Sequence, residues 1–310
     1  MSAPARPETL YRKHVEMCHL PENEHTFDFM SDYLTMMDIL AKAITHGLEE
    51  ACRITPLQYR IMIRMLADSD MHTKSLSADL HVGVSTVSVA VSKLANKKLI
   101  SRSESVTDMR LVGLNLTDAG RALVAKADLA VYTIMTEYWN TLTREQLEAA
   151  MTSSISAVER YSHMRYENGE PRIDTAFVDT VMISRMLTAQ ALQEHGMTAA
   201  DYRVLLALKI MGGRSFSADI AKFLFLNSSD LTSCIKNLEA MGLITRQRME
   251  ENRRIRVIEL TLKGNARTIE LLPIVFDALH ETCHSSDELI RIHVSAARDL
   301  VARKRHRGDF

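Results

Sequence analysis

The strongest constraint on this chain is that it repeats itself once, at the scale of a domain. The segment from Ile54 matches the segment from Met197 at an offset of 143, and of 144 after one loop insertion. Thr55, Tyr59 and Arg60 fall on Thr198, Tyr202 and Arg203. Past the insertion, Leu80, Ser85, Leu94, Leu99, Ile100 and Arg102 fall on Leu224, Ser229, Leu238, Leu243, Ile244 and Arg246; Arg110, Leu116, Thr117 and Gly120 fall on Arg254, Leu260, Thr261 and Gly264. A length of 310 residues accommodates two domains, each able to bury a core. The boundary is expected in the turn-rich stretch from Tyr166 to Pro171, which gives an N-terminal arm over 1–25 and repeats over 26–168 and 169–310.

Within each repeat the punctuation predicts several short helices. Thr55-Pro-Leu-Gln58 and Thr198-Ala-Ala-Asp201 each set a Thr N-cap three residues before a side chain that can reach back. A second helix starts near Thr73 or Ser217. A third carries Val87, Val91 and Leu94, or Leu231, Ile235 and Leu238, on one face. The period then changes. Leu99–Arg102 and Val112–Leu116 flank a polar loop, as do Leu243–Arg248 and Ile255–Leu260, and each pair predicts a hairpin. Long helical patterns follow, over Arg121–Asn140 and Asn265–Cys283. The expected fold is mainly α with small β-hairpin wings: two winged helix-turn-helix units in tandem.

This order, with Asp108-Met-Arg110 in the first loop and the pattern Leu-Thr-x-x-Gly after both hairpins (Leu116–Gly120 and Leu260–Gly264), resembles the MarR family of winged-helix transcriptional regulators. The resemblance spans nearly everything beyond residue 25. Family members are usually about half this length and dimerise through terminal helices, so it implies a covalent pseudo-dimer. Thr26–Leu48, Arg172–Glu194, Leu142–Tyr161 and Ser285–Arg303 would form its helical base. It also implies a pseudo-palindromic operator in double-stranded DNA, and a small-molecule effector that releases a repressor.

The residues placed to touch DNA are those exposed near the start of each third helix: Ser85, Thr86, Ser88 and Val89, and Ser228, Ser229, Thr232 and Ser233. The family often has Arg where Val89 and Ser233 stand, and Asp230 would repel phosphate. The wings contribute Arg102 and Arg110 in the first repeat and Arg246, Arg248, Arg253 and Arg254 in the second. Arg110 and Arg254 match the family's wing-tip arginine, suited to a narrow minor groove. Asn252 replaces the acidic companion Asp108, and Glu104 lies near the poorer wing, so DNA binding is expected to be asymmetric.

Other signals are weaker. A net charge of −1 demands no polyanionic partner, so any DNA contact must come from local arginine clusters. His280-Glu-Thr-Cys-His284 fits the zinc pattern HExxH, but it ends a helix and no third ligand follows; no metal, cofactor or catalytic group is expected. The unpaired cysteines read as reduced thiols, with Cys234 packing inside the third helix of the second repeat. No apolar run reaches membrane-spanning length, so the expected setting is the cytoplasm. The competing expectation is a ligand-sensing or protein-interaction module that keeps the fold and has lost most DNA affinity.

Overall fold

The computed structural model describes residues 25–68, 71–104, 112–161, 172–248, 256–283 and 287–307. They group into two compact units. One is Leu40–Ile183; the other is Ser184–Phe310 together with Met1–Ile39. These divisions fall inside the helices α1 (His25–Cys52) and α7 (Ile173–Gln193), so each helix gives part of its length to each unit.

The unit Leu40–Ile183 continues from α1 through α2 (Pro56–Ala67), α3 (Thr73–Leu80), α4 (Val84–Asn96), β1 (Ile100–Glu104), β2 (Val112–Leu116), α5 (Asp118–Trp139) and α6 (Arg144–Tyr161). Thr55 starts α2 as expected. Its hydroxyl accepts from Gln58 N at 3.2 Å while Gln58 Oε1 accepts from Thr55 N at 3.0 Å, and Pro56 fills the first position, where no N–H is needed. β1 and β2 pair antiparallel from Ile100↔Leu116 to Glu104↔Val112.

The Leu-Thr-x-x-Gly pattern has a steric explanation. Thr117 caps α5 by accepting from Gly120 N at 3.0 Å, and its own hydroxyl reaches the carbonyls of Lys98 and Leu99 at 2.9 and 3.1 Å. That brings the helix start so close to β1 that a Cβ on Gly120 would lie 2.1 Å from Leu99 O. Only glycine leaves that space. Thr261 and Gly264 repeat the arrangement, where an added Cβ would stand 2.0 Å from Leu243 O.

Buried charge organises this unit's interior. Arg64 Nε on α2 donates to Asp79 Oδ2 at 2.8 Å, Arg64 Nη2 lies 2.8 Å from Asp179 Oδ2 on α7, and Arg60 also donates to Asp179. Burial alone would raise the Asp179 carboxyl, but the charges and hydrogen bonds of Arg64 and Arg60 hold it below the ordinary carboxylate value.

In the other unit, α7 leads into α8 (Ala199–Ile210), β3 (Arg214–Phe216), α9 (Ser217–Leu224), α10 (Ser228–Ala240), β4 (Ile244–Arg248), β5 (Arg256–Leu260), α11 (Leu262–Cys283) and α12 (Asp287–Arg307). Here the structure adds to the expected hairpin. β3 pairs with the far edge of β5, from Arg214↔Glu259 to Phe216↔Val257, so the sheet has three strands in the order β3-β5-β4. In the Leu40–Ile183 unit the corresponding contact is one bridge, Met71↔Leu114. Three residues after a glycine pair carry too little periodicity to be read as a strand.

Arg203 is this unit's buried guanidinium. Nη1 pairs with Asp38 at 2.9 Å, and Nη2 donates to Leu224 O at 2.7 Å, the end of α9. Arg305 on α12 lies over the Phe223 ring at 3.8 Å and pairs with Asp32 at 3.1 Å.

Candidate nucleic-acid interface

α4 and α10 present outward faces because on one side of each helix apolar residues recur at helical spacing and are buried. In α4 these are Val87, Ala90, Val91 and Leu94; in α10, Leu231, Cys234, Ile235 and Leu238. Each large aliphatic side chain so buried stabilises its helix by about 1.5–3 kcal/mol. What remains outside is the expected set: Ser85, Thr86, Ser88 and Val89 on α4, and Ser228, Ser229, Thr232 and Ser233 on α10, are all exposed.

The two faces are held differently. α4 starts at Gly83 with no side-chain cap. α10 starts at Asn227, whose Oδ1 accepts from Asp230 N at 2.8 Å and from the Ser229 hydroxyl at 2.6 Å, while its amide donates to Asp230 Oδ2 at 2.9 Å. Asp230 is thus tied into the cap. Further along α10, Thr232 donates to Ser228 O at 2.6 Å and Ser233 to Ser229 O at 3.1 Å. Sequence reasoning missed Asn227, although Asn directly before a helical pattern is a cap signal. It also passed over Lys93, Lys97 and Lys98, exposed around the end of α4.

In the hairpins, Arg102 is exposed on β1 and Arg256 on β5. Arg246 on β4 forms an ion pair with Glu239 near the end of α10, which offsets part of its charge. The register sets the Arg248 and Arg256 positions directly opposite each other. Like charges at directly opposite positions weaken a ladder. Arg110, Arg253 and Arg254 lie outside the described residues, as do Asp108 and His284 of the HExxH match.

Cys234 faces inward from α10. Burial, then the charge and hydrogen bond of Asp201, push its thiol up to about 12, against the lowering influence of Arg203. At neutral pH it is a protonated packing group and a poor nucleophile. Among the described residues no cluster of three or more His, Cys, Asp or Glu side chains could hold a metal ion, and no helix is long and apolar enough to cross a membrane.

Residues 195–255 match the model of the MarR family. Over those residues the chain is similar to the MarR family of winged-helix transcriptional regulators. Among curated proteins the chain is similar to the HTH-type transcriptional repressor MdtR of Bacillus subtilis (strain 168), at 25% identity over 121 residues, 38% of this chain and 78% of that one. Among solved structures it is similar to AbsC, a MarR family transcriptional regulator from Streptomyces coelicolor, at 24% identity over 34% of this chain and 72% of that one, with a TM-score of 0.32. The YusO protein from Bacillus subtilis matches at 21% identity over 40% and 87%, with a TM-score of 0.34. With TM-scores this low, the likeness to the MarR family lies in the sequence matches.

Proposed function

We propose that this chain is a DNA-binding transcriptional repressor in which two MarR-like winged-helix repeats, 26–168 and 169–310, act as a covalent pseudo-dimer on a pseudo-palindromic operator. The observation that carries this reading is that both compact units present a helix with an outward hydroxyl-bearing face, followed by an arginine-bearing hairpin. α4 and α10 would enter successive major grooves, with Arg102, Arg110, Arg246, Arg248, Arg253 and Arg254 supplying wing contacts to phosphates and minor grooves. A small-molecule effector would release the DNA by favouring a different spacing of the two readers.

Titration of promoter fragments over a range of salt concentrations tests this. Neutralised phosphates release counterions, so affinity should fall steeply with salt. The competing reading, a sensing or protein-interaction module, draws support from the near-neutral net charge and from Asp230 and Glu239 on α10. It predicts weak binding with a shallow slope.

A further inference from the structure

The outward faces of α4 and α10 are not the same surface. In the repeat alignment Val89 stands where α10 has Ser233, and Val84 where it has Ser228. Val89 is 56% exposed and Val84 52%. Val89 lies in the middle of the outward face, because Val87, Ala90, Val91 and Leu94 all point inward and Ser85, Ser88 and Ser92 surround it on the same side. A β-branched residue there weakens the helix slightly and gains nothing from the core.

The neighbouring hydroxyls differ in the same sense. Among the described residues, the hydroxyls of Ser85, Thr86 and Ser88 hold no hydrogen bond, so their protons are free to donate outward. The hydroxyl protons of Ser229, Thr232 and Ser233 on α10 are already committed to Asn227 Oδ1 and to the Ser228 and Ser229 carbonyls. Those three offer mainly lone pairs, and of the four expected α10 residues Ser228 alone keeps an uncommitted hydroxyl, against three on α4. In the major groove thymine alone presents a methyl group beside an acceptor, O4, whereas cytosine N4 and adenine N6 present amino donors. A face with an apolar centre and free donors fits the first; a face of acceptors fits the second.

We propose that Val89 is a specificity-determining residue that packs on a thymine methyl group, and that α4 and α10 therefore read unlike half-sites. This rests on the DNA-binding reading above and goes beyond it, since that reading alone permits two equivalent half-sites.

The test uses the full chain and duplexes that it enriches from a random-sequence pool, with thymines replaced one at a time by uracil, which lacks only the C5 methyl. One replacement, confined to one half of the site, should weaken binding about threefold to fivefold, the worth of one buried methyl. Val89→Ser should bind the unmodified duplex correspondingly more weakly and lose that sensitivity. The inference is overturned, with the DNA-binding reading intact, if binding is strong and salt-dependent but uracil costs the same in wild type and Val89→Ser, or if equivalent thymines matter in both halves. If no duplex is enriched and no fragment binds in a salt-dependent manner, both readings fall.

Discussion

Arg64 and Asp179 meet at 2.8 Å with no solvent exposure on either side chain. Arg64 belongs to the helix that begins at Thr55, and Asp179 to α7, more than a hundred residues later. A buried pair of this kind is weak evidence for stability in itself, since desolvation offsets most of its attraction. Removing one partner is another matter.

Asp179→Asn keeps the shape of the site but leaves Arg64 and Arg60 facing a neutral amide. The expected cost to the Leu40–Ile183 unit is about 3–5 kcal/mol, read from urea unfolding at neutral pH. Arg144→Gln, in the exposed Arg144–Glu148 pair, should scarcely move the midpoint. Because Asp179 is held below its ordinary value, its contribution is full at neutral pH and is lost as pH falls through its folded pKa. The variant should lack that part of the acid loss; similar small shifts from both variants would mean that the buried charge is dispensable.

Gly264→Ala and Gly120→Ala should each destabilise, because the new methyl meets a backbone carbonyl, Leu243 O or Leu99 O, which cannot swing aside. A loss of about 1–3 kcal/mol or somewhat more is expected from overpacking. Gly47→Ala is the comparison. Its methyl would meet only the tip of the Ile134 side chain, and alanine favours the helix interior, so the two effects should nearly cancel. Thermal melts of the three variants decide it, and equal behaviour would refute the steric account of the motif.

Two groups in the Ser184–Phe310 unit should oppose each other in acid. Burial lowers His293 on α12 to about 4, so its neutral form favours the fold above pH 6.5 and that advantage is lost as pH falls toward 4. Burial raises Asp32 on α1 to about 6, with Asp28 adding and Arg305 and Arg298 opposing, so its contribution is present at low pH and lost as pH rises through 6. Each amounts to about 3 kcal/mol at most, and between pH 4 and 6 the slopes have opposite sign. Asp32→Asn should therefore steepen the acid loss of stability relative to wild type, and His293→Phe should reverse it. Urea midpoints at pH 7, 5.5 and 4.5 measure this; a pH profile unchanged by Asp32→Asn would contradict it.

The two wings should contribute unequally to DNA binding. Arg254 belongs to a hairpin that also carries Arg246, Arg248, Arg253 and Arg256, whereas Arg110 is accompanied by Arg102 and by Glu104. Arg254→Ala should cost more affinity than Arg110→Ala, within the ~1–3 kcal/mol of a charge-assisted contact, and both should lower the salt slope. Titrations at several salt concentrations would show equal losses if the asymmetry is wrong.

What the sequence determined by itself is local. The caps at Thr55 and Thr198, the buried stripes of α4 and α10, the hairpins and the exposed candidate residues all follow from spacing within about fifteen residues, over which side-chain direction is set by the backbone period. The tertiary structure alone decided which distant groups meet: Asp179 with Arg60 and Arg64, Asp38 with Arg203, β3 on the edge of β5, and Glu239 with Arg246. The same is true of the Cys234 thiol, since burial beside Asp201 depends on how α8 packs on α10. A carboxylate in a helix looks alike in sequence whether it will face water or a guanidinium, and only packing, by removing the water, makes the difference one of several kcal/mol.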